Sequence, residues 1–99
     1  MNNPRPARGA RAKRLSEQPY TIVIEYESDP KGFTGYFSYH PELEGCMAQG
    51  ATPEEALASL AEARRMWVEH SLKHKLPVPA PRRMQDLIQP LERAFGSAT

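Results

Sequence analysis

The segment of residues 40–56, HPELEGCMAQGATPEEA, constrains the fold more than any other part of this chain. Thr52, Pro53 and Glu55 match a capping box with proline at the first helical position, so a helix is expected to begin at residue 53. The two glycines of the segment permit backbone conformations that a side chain would penalise. The segment therefore predicts a turn, a short strand, a second turn and a helix start within seventeen residues.

Hydrophobic periodicity on either side of this segment predicts further strands and the extent of the helix. The predicted elements are strands over residues 20–27, 34–39 and 46–49, a helix over residues 53–75 and an optional edge strand at Val78. This order is typical of an α+β fold in which an antiparallel meander is covered by one helix. We therefore expect a small β-β-β-α-(β) domain.

Four side chains are predicted to anchor the core. Ile22 and Ile24 lie on the apolar face of the first strand, because successive side chains of a strand alternate between its two faces. Leu60 and Trp67 lie on the same face of the predicted helix, and Trp67 offers the largest apolar surface. We expect the helix to pack on the first strand through these side chains.

A single helix covers only one face of a sheet. The opposite face holds Val23 and, depending on the strand register, Tyr36 or Phe37. An uncovered face of this kind suits self-association or the binding of a partner.

Composition and charge divide the chain into three parts. Residues 1–18 are rich in proline, arginine and alanine and are predicted to form a flexible basic arm. Residues 19–81 are predicted to form the folded domain, and residues 82–99 a short C-terminal helix or tail without a full DNA-binding module. Residues 20–81 hold five basic against nine acidic side chains, a balance that favours a basic protein partner over nucleic acid.

The arm carries the best candidate for a nucleic-acid contact. Its basic side chains are Arg5, Arg8, Arg11, Lys13 and Arg14. Such an arm can neutralise phosphates in a non-specific, salt-sensitive manner. A solubilising tail is the alternative, and the sequence leaves both open.

Composition also limits the cellular setting. No apolar run approaches the roughly 20 residues that span a bilayer. The basic N-terminus is not followed by an apolar stretch, so no secretory signal is expected. The single cysteine excludes an internal disulfide framework and is typical of a reducing compartment. These features predict a cytoplasmic protein without a membrane contact.

No combination of side chains predicts catalysis or a cofactor. Glu25 and Glu27 share one strand face, but metal-dependent nuclease chemistry needs three or four converging carboxylates. His70 and His74 have the i,i+4 spacing of metal ligands without an evident third ligand. Cys46 could act as a nucleophile only beside a base that lowers its pKa, and burial in the core is the favoured interpretation. We therefore expect a protein that is not an enzyme.

The motif segment resembles the core domain of HicB-type antitoxins, whose usual pattern is Pro-Asp-Leu-Pro-Gly-Cys, then Gly-Asp-Thr and Glu-Glu-Ala at a helix start. The resemblance extends over residues 20–81. The matching residues are Pro41, Leu43, Gly45, Cys46, Gly50, Thr52, Glu55 and Ala56. Glu42, Glu44 and Ala51 stand where the family usually has Asp, Pro and Asp.

The resemblance implies a partial ribonuclease-H-like fold and self-association as a dimer or higher. It also implies a protein partner, a small basic ribonuclease toxin that cleaves mRNA and that the antitoxin binds and neutralises. A free-standing homo-oligomeric regulator of the same fold, without a toxin partner, is the alternative, and a vestigial nuclease is a third hypothesis. Family members commonly append a DNA-binding module, but only eighteen residues follow Pro81, so specific DNA binding is not expected.

Overall fold

The computed structural model of the protein describes residues 8–83. In chain order its elements are α1 (Arg8–Ser16), β1 (Val23–Ser28), β2 (Thr34–Tyr39), β3 (Met47–Gly50) and α2 (Pro53–Lys73). The three strands form one antiparallel sheet of order β1-β2-β3, followed by the long helix, which confirms the predicted α+β class. The ribonuclease-H-like architecture implied by the resemblance stays a prediction.

The N-terminal region differs from the predicted flexible arm. Residues 8–16 form α1, which packs against α2, and Ala12 of this helix is fully buried. The Nε of Arg64 in α2 donates a 2.5 Å hydrogen bond to the carbonyl oxygen of Ser16 and so holds the end of α1. Because Ala12 and Ser16 are small, the helices approach closely, and a segment with few large apolar residues still contributes to the packed structure.

The long helix covers β2 and β3 and leaves β1 largely uncovered. Ser38 of β2 is buried, and its hydroxyl donates a 2.9 Å hydrogen bond to the carbonyl oxygen of Ala56 in α2. Ile24 lies opposite Ser38 and therefore on the same side of the sheet. Even so, Ile24 is 37% exposed and Ile22 is 47% exposed. Within residues 8–83 they therefore do not serve as the predicted core anchors, because α2 does not reach over β1.

The core lies between the sheet, α2 and the loop that joins β2 to β3. Its buried members are Tyr20, Leu43, Cys46 and Leu60. Ala48, Ala63 and Trp67 are partly buried and pack against this cluster. Of the predicted anchors on the helix, Leu60 thus lies at the centre of the core and Trp67 at its rim.

Residues 76–83 run past the core as an irregular segment. The hydroxyl of Tyr20 donates a 2.5 Å hydrogen bond to the carbonyl oxygen of Pro79, which attaches this segment to the core. No strand forms at Val78, because the alternating prolines remove the backbone donors that a strand needs. The predicted C-terminal helix lies outside the described residues. Within residues 8–83, no helix is both long and apolar enough to cross a membrane.

Candidate functional site

The motif loop, residues 40–46, joins β2 to β3 through two successive turns. The N–H of Leu43 donates to the carbonyl oxygen of His40 at 3.1 Å, and the N–H of Cys46 donates to that of Leu43 at 2.9 Å. These turns direct the Leu43 and Cys46 side chains into the core, where both are buried. The motif loop therefore closes one end of the core with its own side chains.

The two motif glycines serve different purposes. Gly45 has a φ of +83°, a left-handed conformation that favours glycine, and it leads the loop into β3. Gly50 ends β3 just before α2 begins, and a Cβ at this position would overlap the backbone nitrogen of Ala56. The first glycine is thus required by backbone conformation, and the second by the close approach of strand and helix.

The start of α2 is capped as the sequence predicts. The Thr52 hydroxyl oxygen accepts a 3.1 Å hydrogen bond from the N–H of Glu55, and Pro53 occupies the first helical turn. The Glu55 carboxylate in turn accepts a 3.0 Å bond from the N–H of Ala51, one residue before the cap. These bonds fix where the helix leaves the motif, and they direct the buried Ala56 toward β2.

A buried histidine links the motif loop to α2 and to the chain entering β1. His40 Nδ1 lies 2.7 Å from the carbonyl oxygen of Thr21, so this nitrogen carries the proton. His40 Nε2 then accepts a 3.0 Å hydrogen bond from Nη1 of Arg64. Burial lowers the pKa of His40 and the Arg64 charge lowers it further, which outweighs the opposing effect of the Thr21 carbonyl. His40 is therefore held in one neutral tautomer.

Glu42 of the motif loop joins the start of β1 to the segment that follows α2. Its Oε2 accepts hydrogen bonds from the N–H of Thr21 at 3.0 Å and from the N–H of Arg82 at 2.9 Å. Burial alone raises the pKa of Glu42, but the bonds from Arg82 and Thr21 outweigh it and hold the pKa below its usual range. Glu42, which stands where the family usually has aspartate, therefore holds these two segments together.

A shallow groove lies between the motif loop and α2. Its lining residues are Gly45, Cys46, Met47, Ala63, Met66, Trp67 and His70. The indole N–H of Trp67 donates a 2.9 Å hydrogen bond to the carbonyl oxygen of Glu44, which ties the helix to the loop. Burial raises the pKa of the Cys46 thiol, so this side chain suits packing rather than nucleophilic attack.

Within residues 8–83, no element covers the side of the sheet turned away from α2, and this side is acidic. Phe37 and Tyr39 alternate with the buried serine that contacts α2, so they point away from the helix. The register places Glu25 opposite Phe37 and Met47 opposite Tyr39, which settles that Phe37 rather than its neighbour occupies this side. We call this surface the open face, and its lining residues are Glu25, Glu27, Phe37, Tyr39 and Met47.

The carboxylates considered for nuclease chemistry lie in separate places. Glu25 and Glu27 line the open face. Glu62 and Glu69 form ion pairs with Arg65 on the exposed side of α2, at 2.8 Å and 3.8 Å. A carboxylate set converging on divalent ions would need these groups on one surface. The arrangement supports the interpretation of exposed acidic surfaces.

The two helical histidines lie side by side near the end of α2. The ring centroids of His70 and His74 are 4.3 Å apart. Within residues 8–83, no group of three or more His, Cys, Asp or Glu side chains is arranged to hold a metal ion. A metal centre therefore has no support from the described part of the chain.

The basic residues predicted as a nucleic-acid arm are only partly described. Arg5 lies outside the described residues, and Arg8 is the first residue of α1. Arg11, Lys13 and Arg14 are exposed on α1. Contact of these basic side chains with nucleic acid stays a prediction. The described ones lie on α1, which packs against α2.

Sequence reasoning missed two long-range contacts of α2, one with the motif loop and one with α1. One is the bond between His40 and Arg64, residues that are far apart in sequence. The other is the burial of Ala12, which depends on a partner helix much later in the chain. The helix-forming alanine, arginine and lysine around Ala12 were the signal available for α1 itself.

Comparison with known sequences identifies the family. Residues 20–96 match the family described as HicB_like antitoxin of bacterial toxin-antitoxin system. A UPF0150 protein of Synechocystis is 38% identical over 60 residues, which cover 61% of this chain and 71% of that protein. UPF0150 proteins of Thermoplasma acidophilum and Helicobacter pylori are 38% and 34% identical, over 61% and 67% of this chain and 81% and 89% of their own lengths. No solved structure shows a significant match. The chain belongs to the HicB-like antitoxin family.

Proposed function

We propose that this protein is an antitoxin that binds a small basic ribonuclease toxin and blocks its cleavage of mRNA. Family membership supports the antitoxin role. The open face supports a basic protein as the partner. There the carboxylates of Glu25 and Glu27 lie beside apolar and aromatic side chains. None of the strand residues on this face is a lysine or an arginine.

Charge favours a basic partner for this surface. Residues 20–81 hold five basic against nine acidic side chains. Complementary charge raises the rate of association and fixes the orientation of partners. Aromatic side chains and methionine are enriched in protein interfaces, and Phe37, Tyr39 and Met47 supply them here. A basic protein with exposed apolar side chains fits the open face best.

The same charge argues against RNA as the ligand of the open face. Phosphate binding depends on lysine and arginine, and a surface with two carboxylates repels the RNA backbone. The antitoxin therefore protects mRNA by masking the toxin, not by covering the RNA. The proposed site of action is the cytoplasm, and the proposal includes no catalytic step, no cofactor and no specific DNA contact.

The test is co-expression with a short neighbouring reading frame that encodes a basic protein. Expressed alone, that protein should arrest growth and degrade mRNA, and co-expression of this chain should restore both. A variant with Glu25→Lys and Glu27→Lys should lose the rescue while remaining folded by circular dichroism. A toxic neighbour that this chain neither binds nor neutralises would overturn the proposal.

A free-standing homo-oligomeric regulator of the same fold is the second candidate function, because the apolar side chains of the open face also suit a second copy. Such a regulator would act without a toxin. Light scattering tests the second candidate, since a regulator of this type must be oligomeric when pure, whereas an oligomer is compatible with both proposals. A monomer that neutralises a basic partner would exclude the second candidate.

A further inference from the structure

An apolar stripe on the α2 side of β1 is uncovered in the described part of the chain. Ile24 and Tyr26 lie opposite Ser38 and Tyr36, so together with Ile22 they share the side of the sheet that α2 occupies. The helix packs over β3 and β2 instead. As a result Tyr26 is 60% exposed, and both isoleucines are also exposed. We call these three side chains, Ile22, Ile24 and Tyr26, the β1 stripe.

The chain leaves the described structure beside the start of this stripe. The N–H of Arg82 and the N–H of Thr21 donate to the same oxygen of Glu42, at 2.9 Å and 3.0 Å. One carboxylate oxygen therefore holds residue 82 next to Thr21, which directly precedes the β1 stripe. The bond from the Tyr20 hydroxyl to Pro79 fixes the approach of the same segment. The residues that follow thus start within reach of the stripe.

Residues 84–95 carry an apolar pattern that matches the stripe. Their large apolar side chains are Met84, Leu87, Ile88, Leu91 and Phe95. Their spacings of three and four residues are typical of one helical face, in a pattern that Pro90 interrupts. The β1 stripe spans about 13 Å at the usual rise of a strand, and twelve residues are ample to follow it. Contact between these side chains and the stripe would remove apolar surface of both from water, which is favourable.

We propose that residues 84–95 dock on the β1 stripe of the same chain and extend the core across β1. A second copy is a weaker fit, because three half-exposed side chains fall far short of the roughly 1,200 Å² that a stable interface buries. A tethered segment needs no such area, since its effective concentration near the stripe is in the millimolar range. The inference does not depend on the antitoxin function.

The direct test is methyl NMR on the full-length protein. Nuclear Overhauser contacts are expected between the methyl groups of Ile22 or Ile24 and those of Leu87 or Leu91. An isotope-filtered measurement on mixed labelled and unlabelled chains should show none of these contacts between molecules. Absence of the contacts, or contacts only between molecules, would overturn the proposal.

A matched pair of variants tests the same docking by hydrogen exchange. Tyr26→Ser removes part of the stripe, whereas Met66→Ser changes a side chain of equal exposure, 59% against 60%, on α2. Tyr26→Ser should lower the protection of the backbone amides of residues 84–95 from hydrogen exchange about tenfold. A tenfold change corresponds to a loss of ~1.4 kcal/mol in the free energy of docking. Met66→Ser should leave it unchanged. Docking on β1 would be contradicted if both variants changed the exchange of residues 84–95 equally. It would also be contradicted if these amides exchanged in the unaltered chain as fast as in a free peptide.

Discussion

Nη1 of Arg64 donates a 3.0 Å hydrogen bond to Nε2 of His40, and this bond holds the motif loop against α2. The same guanidinium donates through Nε to Ser16 at the end of α1. On its other side the imidazole donates to the carbonyl oxygen of Thr21. A proton on Nε2 would remove the acceptor and place two cations in contact, so the arrangement requires neutral His40.

Acidification should destabilise the protein through His40. Burial lowers its pKa in the folded state below the unfolded value of about 6.5, so the unfolded chain takes up the proton first. The stabilisation is fully present above about pH 6.5 and is lost as the pH falls toward the folded pKa. Each unit of difference between the two pKa values corresponds to about 1.4 kcal/mol. Urea unfolding at about pH 7.5 and about pH 5.5 measures the change.

His40→Asn is the control for this pH dependence. The charged and titratable groups around His40 are Arg64, Glu42 and Tyr20. The lowered pKa of Glu42 acts in a more acidic window, because a carboxyl of this kind loses its stabilisation only below about pH 4.3. The variant should therefore show a flatter stability profile between the two pH values. An unchanged profile would show that another group is responsible.

Gly50→Ala should destabilise the fold by about 1–3 kcal/mol, the range for an overpacked core. The added Cβ overlaps the backbone nitrogen of Ala56 where β3 meets α2. Gly9→Ala is a matched control, because a Cβ on this residue of α1 meets nothing within 4 Å. It should be neutral or slightly stabilising. Thermal melts of the two variants compare these effects, and equal melting temperatures would refute the role given to Gly50.

Ala12→Glu should detach α1 from α2, since Ala12 is fully buried and a carboxylate there would have to leave the interface. We expect a loss of about 1–3 kcal/mol, as for other buried polar groups without partners. Ala10→Glu places the same side chain on an exposed position of α1 and should have little effect. Trypsin cleavage after Arg11, Lys13 and Arg14 reports detachment. Equal cleavage rates in the two variants would mean that α1 does not depend on this contact.

Trp67 should contribute to stability through its ring more than through its hydrogen bond. Trp67→Phe keeps most of the apolar contact and loses the bond to Glu44, so a loss of about 1 kcal/mol is expected. Trp67→Ala should cost more, yet less than the about 3–5 kcal/mol of a fully buried ring, because Trp67 is partly exposed. Denaturant unfolding gives both values. A larger loss for the phenylalanine variant would reverse this assignment.

Local patterns predicted the three strands and the long helix but not α1, and long-range packing decided which side chains are buried. The cap at Thr52 depends on its immediate neighbours, and the structure forms it as predicted. The exposure of Ile24 depends on where α2 crosses the sheet, which the alternation within one strand does not contain. The burial of Ala12 likewise depends on a helix distant in sequence.

In the candidate site, too, local patterns predicted some features and long-range packing decided others. Alternation along β1 predicted that Glu25 and Glu27 share a face, and the structure places them together. Whether Tyr36 or Phe37 joins them depends on the strand register, which is fixed by the pairing of Glu25 with Phe37. The bond between His40 and Arg64 had no local signal, because it joins a loop to a helix across the core.

The proposed binding of a basic protein partner through the open face is tested most directly by calorimetric titration. The unaltered chain is compared with a Glu25→Gln, Glu27→Gln variant and with a Glu62→Gln, Glu69→Gln variant, which has the same net charge but is altered on α2. The titrant is the purified product of a short neighbouring reading frame that encodes a basic protein, the partner that the proposal requires. We predict that the open-face variant binds at least about tenfold more weakly, with a reduced salt dependence, while the α2 variant binds as the unaltered chain does. Equal affinity of all three chains, or a greater loss in the α2 variant, would contradict the account.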